Sequence, residues 1–170
     1  MTLANTDIAE SAIISPLAHL IPSVRGTRMA IGARTQVMEF VILKCVGGVG
    51  DIVIGDDCYL NPHCVLYSGN GIRIGNDVLI APGTVIAPTN HAFSRRDIPI
   101  RLQGFMPSRG GVVVEDDVWI GANSVLIDGA HIGRGAVIAA GSVVTGSVPA
   151  YEIWGGVPAR KLKDRPETAE

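Results

Sequence analysis

Ile, Leu and Val return along this chain on a six-residue beat. The aliphatic positions come in triplets: Ile8, Ile14, Leu20; Ile31, Val37, Leu43; Ile54, Leu60, Leu66; Ile74, Ile80, Ile86. Two more triplets run unbroken through Val114, Ile120, Leu126, Ile132, Ile138 and Val144. Extra residues enter only after the third member of a triplet, within 21–30, 44–53, 67–73 and 87–113. A fixed short period is the mark of a repeat architecture, and six residues points to a parallel β-helix. One short strand and one turn use about six residues per side; three sides close a coil of about 18, and coils stack at about 4.8 Å. Six coils then build a prism roughly 30 Å long, with the leading aliphatic of each hexad turned inward.

Two further positions fit that tube. The fifth place of the hexad holds small or β-branched residues: Thr35, Val41, Cys58, Cys64, Val78, Thr84, Val118, Ser124, Ala130, Ala136 and Ser142. Gly follows the aliphatic at Gly32, Gly55, Gly75, Gly121 and Gly133, where a tight bend leaves little room for Cβ atoms. A β-sandwich would instead show alternating strands of variable length joined by hairpin turns. After Val144 the beat is left at Pro149-Ala150-Tyr151, and Val157–Leu162, with Pro158 in its first turn, predicts a short helix. That helix is expected to lay Trp154 and Leu162 over the last coil, with a charged, frayed tail over 164–170. The whole of 1–170 reads as one domain, with coils over about 8–148 and the cap and tail over 149–170.

Composition narrows the function. Apolar residues make up 47% of the chain but aromatics only 5%, so the core is Ile, Val, Leu and Ala. A net charge of −2 argues against a nucleic-acid partner or a membrane surface. No stretch approaches the roughly 20 apolar residues of a membrane span, and the N-terminus lacks the pattern of a signal peptide, so the expected location is the cytoplasm. Cys45, Cys58 and Cys64 show no zinc spacing. Cys58 and Cys64 share a hexad position on different sides of the coil and read as small buried thiols.

The segment Asp117-Val118-Trp119-Ile120-Gly121-Ala122-Asn123 resembles a hallmark of the sugar and xenobiotic acetyltransferases among hexapeptide-repeat acyltransferases. So do Ala140-Gly141-Ser142-Val143-Val144-Thr145, Gly156-Val157-Pro158-Ala159-Arg160, and Asn90-His91 at the root of a long loop. The likeness covers most of the chain from about residue 50. It implies a left-handed β-helix, where the general crossover rule would favour the right-handed form. It also implies an acetyl-CoA-dependent enzyme that needs no metal and works as a homotrimer, with sites between subunits.

On that resemblance His91 is the base. Transfer from a thioester to a hydroxyl needs a group poised near neutral pH to take the acceptor proton, and imidazole suits the task. Asp97 and Glu115 are candidates to orient it. The main-chain N–H of Ala122 would stabilise the growing oxyanion, and Trp119 would lie near the pantetheine arm or pack against the next subunit. Ala140, Gly141, Ser142 and Thr145 would offer main-chain and hydroxyl contacts to the coenzyme; Pro158, Arg160 and Lys163 would meet its adenosine and phosphates. One departure stands out: Thr145-Gly146-Ser147 replaces a Thr-Lys-Asp run common in relatives. Tyr67, Asn70 and Asn90 would line the acceptor pocket. His19, His63 and His131 read as solvated, and the loop after His91 has no second His for a carbonic-anhydrase-type zinc site.

The first expectation for the reaction is O-acetylation of a sugar hydroxyl in a surface polysaccharide or its precursor. N-acetylation of a nucleotide-linked amino sugar is the rival, antibiotic acetylation stands third, and a non-catalytic scaffold is the answer of a different class.

Overall fold

The computed structural model describes residues 5–46 and 48–168. Its strands stack into three parallel faces of a prism. Face one holds Thr6–Ile8, Met29–Ile31, Ile52–Ile54, Ile72–Ile74, Val112–Val114, His131–Ile132 and Ser147–Val148. Face two holds Ile13–Ile14, Gln36–Val37, Tyr59–Leu60, Leu79–Ile80, Trp119–Ile120, Val137–Ile138 and Glu152–Gly156. Face three holds His19–Ile21, Ile42–Lys44, Val65–Tyr67, Val85–Ala87, Val125–Ile127 and Val143–Val144. The architecture is the left-handed parallel β-helix.

The beat translates directly into register. Ile31 pairs with Ile54, Ile54 with Ile74, and Ile74 with Val114, so each leading aliphatic sits on its counterpart one coil away. From Ile31 to Val144 all fifteen leading residues are at most 4% exposed. Burying each stabilises the fold by about 1.5–3 kcal/mol. Ile8, Ile14 and Leu20 are only partly buried, because among the described residues no coil lies beneath them. The fifth-position residues are buried throughout, and burial pushes the Cys58 thiol up and the Cys64 thiol up to about 11.

The corners explain the remaining pattern. At the first two corners, from the second coil onward, the residue three past the leading aliphatic turns into the left-handed region. At the first corner this column is Arg34, Asp57, Asp77, Asp117, Gly135 and Tyr151; at the second it is Phe40, His63, Gly83, Asn123 and Gly141. Asn, Asp and Gly accept that conformation at least cost. The glycines directly after the aliphatics serve a different need: a Cβ on Gly55 would lie 2.5 Å from the Gly75 carbonyl oxygen of the next coil.

The C-terminal expectation is corrected. No helix forms over Val157–Leu162; Glu152–Gly156 and Ala159–Asp164 make an antiparallel hairpin, with the Val157–Pro158 peptide cis. Nor does the coil end at Pro149. Val148 stacks on Ile132 and Trp154 on Ile138, six residues apart, so the beat resumes after a short step of four from Val144. Antiparallel pairing with Glu152–Gly156 holds Ala159–Asp164 extended, which excludes a helix there. Trp154 packs on the core while Leu162 is exposed. The second hairpin strand edges face two with Arg160, Lys161 and Lys163, charges that discourage further strand addition. The tail is tethered at its start: the Arg165 guanidinium bonds the Gly135 carbonyl and the Asp117 carboxylate, each at 2.9 Å. Residues 169 and 170 of the expected frayed tail lie outside the described residues.

Candidate active site

All insertions fall at the third corner, between faces three and one, so they share one edge of the prism. The largest leaves after Ala87 and rejoins at Val112. Its neck is closed by an antiparallel bridge between His91 and Phe105, with Ala92 N–H donating to Gly104 O (3.1 Å) and Met106 N–H to Asn90 O (2.8 Å). Inside the loop the Gln103 amide accepts from Arg95 N–H (3.0 Å) and donates to Arg95 O (2.7 Å). A 3-10 turn spans Ile100–Leu102. Such self-bracing makes a compact loop whose ends meet.

His91 is exposed and lines an open cavity of about 640 Å³ with Asn90, Phe93, Ile100, Met106, Pro107 and Arg109. Its ring tilts against Phe105, centroids 4.8 Å apart, and makes no hydrogen bond among the described residues. The carboxylates expected to orient it are engaged elsewhere. Asp97 pairs with Arg95, which holds its carboxyl below the usual range. Glu115 accepts from His131 Nε2 (2.8 Å) and Arg134 N–H (2.8 Å), which likewise lower its pKa. His131 is therefore partnered rather than merely solvated, and His63 stacks on Phe40.

The loop's return is held by a residue that sequence reasoning passed over. Asp128, 2% exposed, accepts from Arg109 N–H (2.7 Å), Gly111 N–H (2.9 Å) and the Asn70 side-chain amide (3.2 Å). Asn70 thus braces the loop's root, and neither it nor Tyr67 lines the His91 cavity; the Tyr67 ring lies beneath Lys44 Nζ. Asn90 does line it. The signal for Asp128 was its place just after a face-three strand, at the one corner where the chain makes excursions.

Ala122 sits at the second corner. Its carbonyl accepts from Gly141 N–H (2.8 Å), and Asn123 N–H beside it donates to Pro82 O (3.0 Å). Held from both sides, its own N–H reaches no acceptor among the described residues. The equivalent positions one and two coils earlier are Pro82 and Pro62, which carry no N–H. Trp119, half exposed on face two, stacks in register between Leu79 and Val137. Ala140 and Gly141 are exposed at the same corner as Ala122.

Ser142 departs from expectation. Its hydroxyl is fully buried, donates to Ala139 O (2.5 Å) and accepts from Gly156 N–H (3.2 Å). That group closes the last coil and is not free for a coenzyme contact. Thr145 and Arg160 meet in a cleft of about 120 Å³ with Gly146, Ser147 and Trp154 at the C-terminal mouth of the tube. Pro158 and Lys163 are exposed on the hairpin, Pro158 in its turn and Lys163 in its second strand.

Comparison with known proteins agrees with this geometry. Residues 111–146 match the family model described as bacterial transferase hexapeptide (six repeats). A hexapeptide-repeat-containing acetyltransferase of Vibrio cholerae superposes with a TM-score of 0.65 at 30% identity, covering 92% of this chain and 72% of that one. The chain belongs to the hexapeptide-repeat transferase family. Within it, a mutant of AntD, an N-acyltransferase from Bacillus cereus in complex with dTDP-4-amino-4,6-dideoxyglucose and coenzyme A, superposes with a TM-score of 0.79 at 27% identity, covering 95% of this chain and 84% of that one. WbbJ of Escherichia coli (strain K12), named for an O-acetyl transferase role in lipopolysaccharide biosynthesis, is 33% identical over 121 residues, 68% of this chain. The chain spans 62% of the length of that relative.

Proposed function

We propose that this chain is an acetyl-CoA-dependent O-acetyltransferase acting on a sugar hydroxyl, with His91 as general base. One observation carries the reading: an exposed imidazole, free of any carboxylate or other hydrogen-bond partner among the described residues, lines a sizeable cavity at the root of a braced loop. Names of relatives supply the acyl-transfer chemistry and the sugar acceptor class.

The acceptor hydroxyl attacks the thioester carbonyl as an imidazole nitrogen of His91 takes its proton. The carbonyl electrons move to oxygen, and the uncommitted N–H of Ala122 donates a hydrogen bond to the oxyanion; such a donor lowers the barrier by about 3 kcal/mol. Collapse re-forms the carbonyl, breaks the C–S bond and returns the proton from His91 to the departing thiolate. The products are the ester and free coenzyme A. Trp119, Ala140 and Gly141 would flank the pantetheine; Thr145, Pro158, Arg160 and Lys163 would meet the adenosine and phosphates. The Ser142 side chain has no part in this, and only its main chain remains for contact.

His91 and Ala122 lie on different edges of one prism, and a strand of about five residues separates neighbouring edges by roughly 17 Å. One subunit therefore cannot bring base and oxyanion donor together. A ring of three copies, in which the loop edge of one meets the Trp119 face of the next, does so by a closed symmetric contact. The exposed pair Leu79 and Trp119, flanked on face two by partly buried Tyr59 and Val137, suits that contact.

The likeness to AntD favours a second reading, N-acylation of a nucleotide-linked amino sugar from the same coenzyme site. Thiol release from acetyl-CoA by the purified protein, with matched sugar alcohols and amino sugars, separates them. Release with the hydroxyl member supports the first reading and release with the amine alone the second. Silence with both, together with no acetyl-CoA binding, leaves a scaffold.

A further inference from the structure

The His91 cavity has a charge that the acetyl-transfer reading does not use. Of its seven lining residues, Phe93, Ile100, Met106 and Pro107 are apolar, none is acidic, and Arg109 carries the one guanidinium. Arg109 is unusually well seated. Its main-chain N–H is pinned by buried Asp128 at 2.7 Å, and its Nη2 donates to the Thr145 carbonyl one coil further on, at 3.1 Å. Beneath it lies Gly129, where a Cβ would stand 3.0 Å from Arg109 Nε and 3.1 Å from Cζ. The guanidinium rests on bare backbone at that corner. No carboxylate pairs with the guanidinium among the described residues, and Nε and Nη1 make no hydrogen bond there.

A fixed guanidinium with open donors, in a cavity walled by apolar side chains, is a receptor for an oxyanion. Its planar fork matches a carboxylate or a phosphate in two parallel bonds, and the apolar walls strengthen the attraction by lowering the local dielectric. We propose that Arg109 selects an acceptor carrying an anionic group beside the reacting hydroxyl, a sugar acid or a phosphate-linked sugar, in preference to a neutral sugar. The inference rests on the acyl-transfer reading for its kinetics, but the binding it asserts stands without it.

The test compares a methyl glucuronide, a sugar 1-phosphate and the neutral methyl glucoside as acceptors for the whole protein, wild type and Arg109→Met. The substitution keeps most of the side-chain stem, and Asp128 still receives the main-chain N–H, so the loop's anchor is retained. In the wild type an anionic acceptor is expected to show a kcat/KM at least tenfold above the glucoside, a margin that shrinks with added salt. In Arg109→Met the margin collapses towards one while KM for acetyl-CoA stays within twofold. Arg109→Lys, which keeps the charge but loses the fork, should fall between. Which of the two anions gains most identifies its source as a carboxylate or a phosphate.

Equal kcat/KM for the anionic and neutral acceptors in the wild type overturns the proposal. A rise confined to the acetyl-CoA KM also overturns it, making Arg109 a coenzyme residue. If no acceptor supports transfer, calorimetric titration of the same three compounds still decides. Binding of an anion to wild type that is lost in Arg109→Met sustains the oxyanion site and refutes only the acyl-transfer reading; no binding refutes the site itself.

Discussion

The second and third corners of the prism flank the same face, face three, yet the chain treats them in opposite ways. At the second, every coil closes in the same number of residues, and Phe40, His63, Gly83, Asn123 and Gly141 repeat one left-handed backbone setting. At the third, loops of several lengths leave the tube, one of them the excursion that holds His91 and Arg109. Two corners suffice to keep three faces in register, so the third is free to vary. In the proposed mechanism both kinds of corner contribute to chemistry, in different ways. The uniform corner offers a backbone N–H held still from both sides, and the variable corner offers side chains aimed into a cavity.

The contrast is sharpest in activity. His91→Ala should leave the fold unchanged by circular dichroism while turnover falls by roughly 10²–10⁴; wild-type turnover would remove His91 from the chemistry. Stability should show the reverse pattern. Ile120 is fully buried and Ile100 is 56% exposed in the loop, so in urea unfolding Ile120→Ala should cost about 2–5 kcal/mol and Ile100→Ala about 0.5 kcal/mol or less. Comparable losses would mean that the loop belongs to the cooperative core.

A smaller effect marks the interior of the uniform corner. The Cys64 thiol is raised by burial to about 11 from an ordinary 9.0. Because the folded value is the higher one, its contribution is complete below pH 9 and is lost as pH rises through about 11. The difference in stability between wild type and Cys64→Ala should therefore shrink over that window by roughly 2–3 kcal/mol. A pH-independent difference would contradict the burial argument. The smallest effect lies at the first corner. Glu115 is lowered by His131 and Arg134, so the stability it adds is present above the ordinary carboxylate pKa and fades as pH falls through the lowered one. Glu115→Gln should flatten a slight acid-side slope in Tm; an unchanged slope would show the pair to be fully screened.

Most of the tube could be read from the beat because inward stacking demands one aliphatic per side, and the demand repeats at Ile54, Ile74 and Val114 without regard to what the loops do. The seventh partial coil was missed because the step from Val144 to Val148 is two residues short, although Trp154 falls six after Val148. Pro158 suggested a first helical turn, but antiparallel pairing of Ala159–Asp164 with Glu152–Gly156 decides the conformation there. Strand pairing outweighs a local preference. In the candidate site, His91 could be singled out because its motif is contiguous. Asp128 and Arg109 could not, since 19 residues separate them and only the closed coil brings them together. The hydroxyl of Ser142 is spent on closing the last coil, because a small side chain suits a buried corner as well as a contact.

The central claim is that base and oxyanion donor come from two copies. It is tested most directly by mixing two inactive variants, His91→Ala and Ala122→Pro, unfolding and refolding them together, and measuring thiol release from acetyl-CoA. Proline is accommodated at this corner, since Pro62 and Pro82 occupy the equivalent places in earlier coils, and it removes the N–H in question. If the site is shared, random assembly of a 1:1 mixture restores about a quarter of wild-type activity, the fraction of interfaces that draw each intact group from a different copy. A mixture as silent as its parents, beside an active refolded wild type, would contradict the account.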